Sequence, residues 1–327
     1  MLTAPEMSEP VLALDLGGTK IRGALVHGAG AEGALRGAAP RLERVAEVAT
    51  PATEGPEAIM AAVAELADRI RSGTRVRAVG LSSAGVIDSD RGRVTHATAS
   101  LAGWAGTDVR TPLTQRFGVP VRVLGDVHAH GIGEARFGAG HDSASLLLVA
   151  VGTGIGGCHV VEGRAVIGSH GAAGHVGHAP VPEAEGVRCP CGRTGHLEGL
   201  ASGPGIVQLA ARLGADPSLR DGRALAAAAA AGDEIALEAY RVAGLATGRV
   251  IGALLNVLDP ELVALTGGVP EAGAPWHDAV RAGIAREAMD VVATTPVMAA
   301  TAGGHAALLG AAARALDDLC LPVATLP

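Results

Sequence analysis

Two patterns of apolar residues divide the chain into predicted strands and helices. Short apolar runs rich in β-branched residues predict buried strands, and longer segments with apolar residues on one face predict helices. Their alternation indicates an α/β protein. Strands are predicted over Val11–Gly17, Ile21–Gly28, Val76–Leu81, Val121–Leu124, Ser145–Val151, Cys158–Glu162, Glu261–Thr266 and Val297–Ala300. Helices are predicted over Pro56–Ile70, Val127–Phe137, Gly222–Leu258 (one helix or two), Trp276–Met289 and Ala306–Leu319.

A glycine-rich turn between two strands occurs once in each half of the chain. The first is Asp15-Leu-Gly-Gly-Thr19, and the second is Val151-Gly-Thr-Gly-Ile-Gly-Gly157. Glycine lets backbone N–H groups approach phosphate oxygens, so each turn is a candidate phosphate site, although a hairpin without a ligand stays an alternative. Asp15 can orient a Mg²⁺-bound water, and Thr19 and Thr153 can donate hydroxyl hydrogen bonds to phosphate. The repetition predicts two related α/β halves that face each other across a cleft.

A cluster of soft ligands lies in a loop-rich segment over residues 164–202. His178 is followed by Cys189-Pro-Cys191 and by His196, and Glu198 comes two residues later. Four Cys and His ligands at close spacing suit tetrahedral Zn²⁺, and no coordination position stays open for water, so a structural zinc is predicted. Two ordinary thiols beside unrelated histidines are the alternative.

Composition and charge narrow the classes of function. The chain has 327 residues and a formal net charge of −7, which argues against a nucleic-acid or anionic-membrane surface. Four cysteines do not make a disulfide framework, and we expect Cys158 and Cys320 to remain thiols in a reducing cytosol. Residues 1–10 lack a secretion signal, and no uncharged apolar run reaches the length of a membrane span.

Competing phosphate motifs fit less well. Gly152-x-Gly154-x-x-Gly157 formally matches the dinucleotide fingerprint, but a strand follows it and no acidic residue stands at the required distance, which disfavours a dehydrogenase. The only lysine is Lys20, so a Walker A loop is absent.

Asp126 stands at a strand end and helix start, where a carboxylate can accept a hydrogen bond from a substrate hydroxyl; a plain N-cap aspartate is the alternative.

Together these motifs resemble the ROK family of bacterial repressors and sugar kinases, in the hexokinase/actin-like superfamily. The resemblance covers residues 11 to 320 and includes Thr266-Gly-Gly-Val269. It implies two actin-like (ribonuclease H-like) α/β domains around a cleft, with a structural zinc loop. The small domain would comprise residues 1–126, completed by the helix over 306–327, and the large domain residues 127–305 with the zinc motif 178–198. Few residues precede the first strand, so a DNA-binding repressor is disfavoured.

The resemblance also implies a role for individual residues. Asp126 would be the base that takes the proton from the sugar 6-hydroxyl, whose oxygen attacks the γ-phosphate of MgATP. The zinc would bind His178, Cys189, Cys191 and His196. The nucleotide and its Mg²⁺ would contact Asp15, Gly17, Gly18, Thr19, Lys20, Thr153, Gly154, Gly156, Gly267 and Gly268. The sugar would contact Gly85, Ser100, Gly103, Gly125, His175, His178 and Glu198.

Four departures from the family pattern bear on the substrate. His196 stands where a third Cys is usual, and His is an equally good zinc ligand. His175 replaces a Glu, which resembles N-acetylmannosamine kinases, because imidazole can donate to an acetamido carbonyl. Gly125 and Ser100 each replace an Asn that contacts the sugar. His128 and His130 lie nearby, but a surface role is favoured for each.

The sequence therefore predicts a cytoplasmic, ATP-dependent sugar kinase that phosphorylates the 6-hydroxyl of an N-acylhexosamine or hexose. N-acetylmannosamine is the favoured substrate, and a glucokinase or an N-acetylglucosamine kinase is the alternative. A sugar-binding protein with little catalysis is the rival from another class. We expect a homo-oligomer, a dimer or a tetramer, and neither nucleic acid nor membrane as a partner.

Overall fold

The computed structural model describes residues 9–29, 39–98 and 100–320, and it forms two compact units. The first comprises the chain up to Asp142 together with 163–173 and the segment from Thr301; the second comprises 143–162 and 174–300. The sequence predicts a different division, after residue 126, with the C-terminal helix from 306 in the small domain, and this stays a prediction. Residues 1–8 and 321–327 of that predicted small domain lie outside the described residues. Residues 127–137, which that division assigns to the large domain, here belong to the first unit.

The first unit is built on a five-stranded sheet in the order β3-β2-β1-β4-β7. Strand β1 pairs antiparallel with β2 and parallel with β4, and β4 pairs parallel with β7. A separate hairpin is formed by β5 and β6. The strands are β1 Val11–Leu16, β2 Lys20–His27, β3 Arg41–Ala49, β4 Ala78–Ser83, β5 Val86–Asp88, β6 Arg93–His96, β7 Val121–Gly125 and β10 Arg164–Ala165. The helices are α1 Pro56–Arg71, α2 Arg110–Phe117, α3 Asp126–Phe137 and α9 Ala306–Cys320.

Strand β1 explains why this sheet lies in the middle of the unit. Its side chains alternate between two cores, as the period of a strand requires. Leu12 and Leu14 pack with Ile59 of α1, whereas Val11 and Ala13 pack on the opposite face with α9. Since both faces are covered, the strand is apolar throughout except for Asp15, and the one charged residue of a buried strand is a candidate for function.

The second unit repeats this pattern with strand order β9-β8-β11-β12. Strand β8 again pairs antiparallel with the next strand and parallel with β11. The repeated topology within each unit agrees with the predicted relation between the halves; their arrangement around a cleft stays a prediction. The strands are β8 Ser145–Val151, β9 Ile155–Val161, β11 Leu262–Thr266 and β12 Val297–Ala299. The helices are α4 Leu197–Ala201, α5 Gly203–Arg212, α6 Gly222–Ala230, α7 Glu234–Leu258 and α8 Ala274–Glu287.

Helix α3 packs closely on α9 because two glycines stand at their contact. A Cβ at Gly133 would lie 2.1 Å from the carbonyl oxygen of Ala306, and one at Gly310 would lie 1.8 Å from that of Ala129. Gly133 within the predicted helix 127–137 therefore allows the backbones to approach, and it does not break the helix.

Several sequence-based boundaries were wrong. The second glycine turn spans fewer residues than predicted, because β9 begins at Ile155, and β4 begins at Ala78 instead of Val76. For the segment 222–258, where one helix or two were predicted, the structure has two helices. Strand β3 was not predicted, because it is a partly exposed edge strand with charged residues at many positions. Cys158 is a buried free thiol, as expected; the side chain of Cys320 lies outside the described ones.

Helix α7 is, among the described residues, long and apolar enough to cross a membrane by length and composition. Half of its apolar window (50%) is buried inside the protein. Ala243, Thr247 and Ile251 on this helix are buried in the second unit.

Candidate functional site

Asp15 is held in the first unit by two neighbours. The residue is 8% exposed. One carboxylate oxygen accepts a hydrogen bond from Arg22 at 2.7 Å, and the other accepts one from the Ser82 hydroxyl at 2.8 Å. Arg22 and Ser82 are the residues directly opposite Asp15 on β2 and β4, so the strand register places all three together. The sequence reasoning missed both, although pairing the hairpin around the glycine turn would have found Arg22.

The first glycine turn lies directly after Asp15. It is closed by a hydrogen bond from the Gly17 amide to the carbonyl oxygen of Lys20 at 3.0 Å, and the Thr50 hydroxyl donates to the carbonyl of Gly17 at 2.8 Å. A Cβ at Gly18 would lie 3.7 Å from the Cβ of Ser100, so the structure brings this turn and Ser100 together. Lys20 is exposed, and its ammonium lies 3.3 Å from Glu47.

Ser100 and Gly103 belong to a loop whose end is anchored in the core. Trp104 is fully buried, and its indole N–H donates to the Ser83 hydroxyl at 3.2 Å. The hydroxyls of Thr98 and Ser100 lie 2.7 Å apart. Gly103 has a φ of 67°, in the left-handed region that favours glycine. The buried tryptophan therefore fixes the position of the loop that carries Ser100.

Asp126 lies at the carboxyl end of β7 and is the first residue of α3. It is exposed, and its Oδ1 accepts a hydrogen bond from the Val127 amide at 2.8 Å. Gly125 occupies the N-cap position, so the interpretation of Asp126 as a plain N-cap residue was wrong. A Cβ at Gly125 would lie 3.6 Å from the carbonyl oxygen of Gly85 and 3.2 Å from Nδ1 of His128. The structure thus brings Gly85, Gly125 and His128 together beside Asp126.

The second glycine turn is tied to Glu198 within the second unit. The Ile155 amide donates to Glu198 Oε2 at 2.8 Å. A Cβ at Gly154 would lie 2.9 Å from the same oxygen, so a side chain there would displace the carboxylate. Thr153 at the turn is exposed, and Gly156 already lies within β9. Gly267 has a φ of 97°, and a Cβ there would lie 2.3 Å from the carbonyl oxygen of Val151. A Cβ at Gly268, the next residue, would have no heavy atom within 4 Å.

The four predicted metal ligands converge in the second unit. One ligand atom from each of His178, Cys189, Cys191 and His196 lies within 4.8 Å of every other. The Sγ of Cys189 is 3.5 Å from Nδ1 of His178, and the Sγ of Cys191 is 3.2 Å from Nδ1 of His196. Bonds of about 2.3 Å to sulfur and about 2.0 Å to nitrogen place tetrahedral ligands roughly 3.5 Å apart. The donor set and its spacing therefore fit a zinc ion.

Burial and hydrogen bonding give these ligands different acidities. Burial raises the pKa of the Cys189 thiol to about 11, while the backbone N–H of Arg193 lowers the pKa of the Cys191 thiol. Burial also lowers the pKa of His178, which favours the neutral imidazole that binds metal. The His175 ring stacks on His178, with ring centres 5.9 Å apart, so the structure brings the His175 that the sequence singled out to the edge of this group.

An ion-pair network supports the loop before the cysteines. Arg249 on α7 lies 3.1 Å from Glu183 and 2.7 Å from Glu287 of α8, and these side chains are 17–31% exposed. Glu183 belongs to the short turn Pro182–Ala184, between His178 and Cys189. The sequence reasoning missed this network, since its members stand far apart in the chain. The metal group is thereby connected to the two long helices of the unit.

The sequence profile of the ROK family matches residues 11–318. The chain belongs to the ROK family. It is 30% identical over 279 residues to the glucokinase of Halalkalibacterium halodurans (80% of this chain, 81% of the relative) and 31% identical over 258 residues to the N-acetylmannosamine kinase of Escherichia coli (79% and 82%). A ROK family glucokinase from Streptomyces griseus, solved with glucose and AMPPNP, matches with a TM-score of 0.76 and 30% identity (93% of this chain, 99% of that chain).

The α/β fold is therefore that of ROK sugar kinases, as the sequence motifs implied. Within the first unit, the structure groups Asp15 with the first glycine turn and Ser100, and it groups Asp126 with Gly85 and Gly125. Within the second unit, it groups Glu198 with the second glycine turn and His175 with the metal ligands. Their roles stay predictions.

Proposed function

We propose that this ROK protein is an ATP-dependent sugar kinase that phosphorylates the 6-hydroxyl of an N-acylhexosamine or a hexose. The observation that carries the proposal is the contrast between two carboxylates of one unit. Asp15 is buried and held by Arg22 and Ser82, whereas Asp126 is exposed at the end of β7. A held carboxylate suits an orienting role and an exposed one suits proton transfer, so the two environments support different tasks.

The reaction follows from these roles. Asp126 accepts the proton of the sugar hydroxyl, and the hydroxyl oxygen attacks the γ-phosphorus of ATP. The bond from that phosphorus to the bridging oxygen breaks, and ADP leaves with the electron pair. Backbone N–H groups of the two glycine turns, with the hydroxyls of Thr19 and Thr153, hold the phosphates. Catalysis of this kind depends mainly on positioning and on charge stabilisation.

Asp15 suits a partner of hydrated Mg²⁺. One oxygen accepts the hydrogen bond from Arg22 and the other accepts the one from Ser82. A carboxylate oxygen has two lone pairs, so each can also accept from a metal-bound water. Bound Mg²⁺ would neutralise charge that develops on the phosphates. Asp15 would fix its hydration shell, while Arg22 and Ser82 orient the carboxylate.

A zinc ion at the Cys and His group would have a structural role. All four protein ligands are present, so the ion would hold the loop from His178 to His196. We propose His178 and Glu198 as sugar contacts. His178 begins that loop, and Glu198 lies two residues after its end at His196. Residues next to a metal are oriented by it, and loss of the ion would therefore impair sugar binding.

Among sugars we propose N-acetylmannosamine first, followed by N-acetylglucosamine and glucose. The support is His175, which can donate a hydrogen bond to an acetamido carbonyl where a carboxylate can only accept. The E. coli relative named N-acetylmannosamine kinase agrees with this choice, and the relatives named glucokinase support the alternative. We also propose a cytoplasmic homo-oligomer, a dimer or a tetramer.

The test is sugar-dependent ADP release from MgATP, with N-acetylmannosamine, N-acetylglucosamine, glucose, mannose, fructose and no sugar. We expect stimulation by one of the first three sugars. Asp126→Asn should abolish it, whereas Asp90→Asn, an exposed carboxylate of the same unit, should leave it unchanged. His175→Glu should move the preference toward glucose.

A sugar-binding protein with little catalysis is the second candidate. Gly125 and Ser100, both short at positions where the family has Asn, favour it. Binding of a sugar without ADP release would support this candidate over the kinase, and full turnover by Asp126→Asn would remove Asp126 as the base.

A further inference from the structure

Both cysteines of the metal group lie in one tight turn. The Gly192 amide donates to the carbonyl oxygen of Cys189 at 2.9 Å, which closes a β-turn with Pro190 and Cys191 at its centre. The Cys189 amide donates to the carbonyl oxygen of Arg193 at 2.8 Å, so the turn forms the end of a closed loop. Cys189 is 4% exposed, whereas Cys191 is exposed. One thiol of the pair is therefore buried, and the other is accessible to small solutes.

This turn brings the two sulfur atoms within reach of each other. Residues two positions apart in a chain span at most about 7 Å between their Cα atoms, and a turn shortens that span. A disulfide requires a Cα separation of about 4.4–6.8 Å. The Sγ atoms of Cys189 and Cys191 already lie within 4.8 Å of each other, and each side chain can rotate about its χ1 angle when no metal holds it. The loop can therefore accommodate a bond between the two sulfur atoms.

The same two sulfur atoms are the charged ligands of the proposed zinc site. Zinc binds the thiolate form of cysteine, and a disulfide sulfur carries no charge. The other two proposed ligands, His178 and His196, bind as neutral imidazoles. Since His196 stands where a third Cys is usual, both thiolates of this site belong to one pair. A single disulfide would therefore remove all of the negative charge that the ligands supply.

Cys158 lies in a different environment in the same unit. This residue of β9 is fully buried, and its Sγ lies 3.7 Å from the carbonyl oxygen of His159. Oxidants react with exposed thiolates in preference to buried thiols. Cys158 therefore serves as an internal control for any oxidation at the turn.

We propose that Cys189 and Cys191 are a reversible thiol–disulfide pair, whose oxidation by a peroxide removes both thiolates from the proposed zinc site. The Cys191 thiolate attacks the peroxide, the O–O bond breaks, and Cys191 becomes a sulfenic acid while hydroxide leaves. The Cys189 thiolate then attacks the Cys191 sulfur, the S–O bond breaks, and a second hydroxide leaves. The two sulfur atoms together lose two electrons, hydrogen peroxide gains them, and the metal is released at its original charge.

Oxidation should also weaken sugar binding, and this consequence rests on the proposed function. We propose that zinc orients the loop from His178 to His196, which presents sugar contacts. The Kd for the sugar found in the ADP-release panel, measured by calorimetry, should therefore rise about tenfold after peroxide. It should return to its original value after treatment with dithiothreitol and Zn²⁺.

Peptide mapping tests the bond directly, because trypsin separates the cysteines. Cleavage after Arg188 and Arg193 gives the peptide 189–193, which holds Cys189 and Cys191 and no other cysteine. The zinc-loaded protein is treated with hydrogen peroxide, alkylated under denaturing conditions and digested. We expect this peptide to lack two hydrogen atoms and to carry no alkyl group. The peptide that contains Cys158 should be alkylated, and dithiothreitol before alkylation should restore both thiols of the turn.

Zinc release measures the effect on the metal. A chromogenic chelator should detect about one zinc ion per chain after peroxide and much less before it, since the four ligands form one group. Cys158→Ala should release zinc to the same extent as the unaltered protein. Cys191→Ser should form no disulfide, and its Cys189 should be alkylated or carry oxygen after peroxide.

The outcomes separate this proposal from the proposed function. Alkylation of both cysteines after peroxide with zinc retained, or a sulfinic acid at Cys191 without a disulfide, would overturn the thiol–disulfide pair. A protein that binds no zinc and forms the disulfide would refute the metal site and keep the pair. A disulfide in a protein without sugar-dependent ADP release would refute the kinase alone. A disulfide with an unaltered sugar Kd would keep the pair and refute the proposed link between the loop and the sugar.

Discussion

Glu134 offers a sharp test of how the first unit is held together. This residue of α3 is fully buried, and three backbone N–H groups donate to its carboxylate. Oε2 accepts from Ala139 at 3.1 Å and from Thr301 at 2.9 Å, and Oε1 accepts from Ala302 at 2.9 Å. The chain first leaves the unit after Asp142 and returns to it for the last time at Thr301, so one carboxylate binds the backbone close to both points.

Glu134→Gln should destabilise the protein by about 2–6 kcal/mol. The amide oxygen of glutamine can replace Oε2 and keep two hydrogen bonds. Its NH₂ group then faces the Ala302 N–H, which leaves two buried donors without an acceptor. Each buried polar group that loses its partner costs about 1–3 kcal/mol. Glu134→Ala removes both acceptor oxygens, so all three N–H groups lose their hydrogen bonds, and it leaves a cavity; its loss of stability should therefore be larger.

Urea denaturation followed by circular dichroism measures the loss, and amide hydrogen exchange localises it. The amides of Ala139, Thr301 and Ala302 should exchange faster in Glu134→Gln than in the unaltered protein. Glu238→Gln is the matched control, because Glu238 forms an exposed ion pair with Arg241 and such pairs contribute at most about 1 kcal/mol. A Glu134→Gln variant as stable as this control, with unaltered exchange, would refute the reasoning.

Two further predictions concern the metal group and the response to pH. Cys191→Ser should bind zinc more weakly, and a chelator that lowers the melting temperature of the unaltered protein should have a smaller effect on this variant; equal effects on both would exclude a metal role for Cys191. Burial lowers the pKa of His130, so the unfolded state binds the proton more readily. The free energy of unfolding should therefore fall as the pH drops below about 6.5, the ordinary histidine pKa. In acid denaturation, His130→Asn should lose less stability over that range than the unaltered protein.

The buried strands and the cluster of Cys and His residues were predictable from the sequence because each has a dense local signal. Buried strands such as β1 and β8 are continuous apolar runs, and glycine turns mark where each hairpin reverses. The cysteines at 189 and 191 stand close enough in the chain to be recognised together. The spacing of the motifs was then enough to recognise the ROK family and to locate the glycine turns in the sequence.

Contacts that depend on register or on helix faces were not predictable in the same way. Arg22 reaches Asp15 only because the two strands pair residue for residue, and Arg249 reaches Glu183 across a long stretch of sequence. His128 was expected at the surface, since polar residues usually lie there. It is buried because α3 packs on α9 along one face and the Ala173 carbonyl provides its hydrogen bond.

A chain of contacts in the second unit links the metal group to the glycine turn. The proposed ligand His196 precedes α4, and Glu198 in the first turn of that helix accepts the hydrogen bond from Ile155. Ile155 begins β9 directly after Gly154, where a side chain would meet the same carboxylate. Because Glu198 has one position that satisfies all these contacts, whatever fixes His196 also fixes the end of the turn. Loss of the metal would accordingly loosen the turn proposed to hold phosphate as well as the loop proposed to hold sugar, although no metal ligand needs to touch a nucleotide.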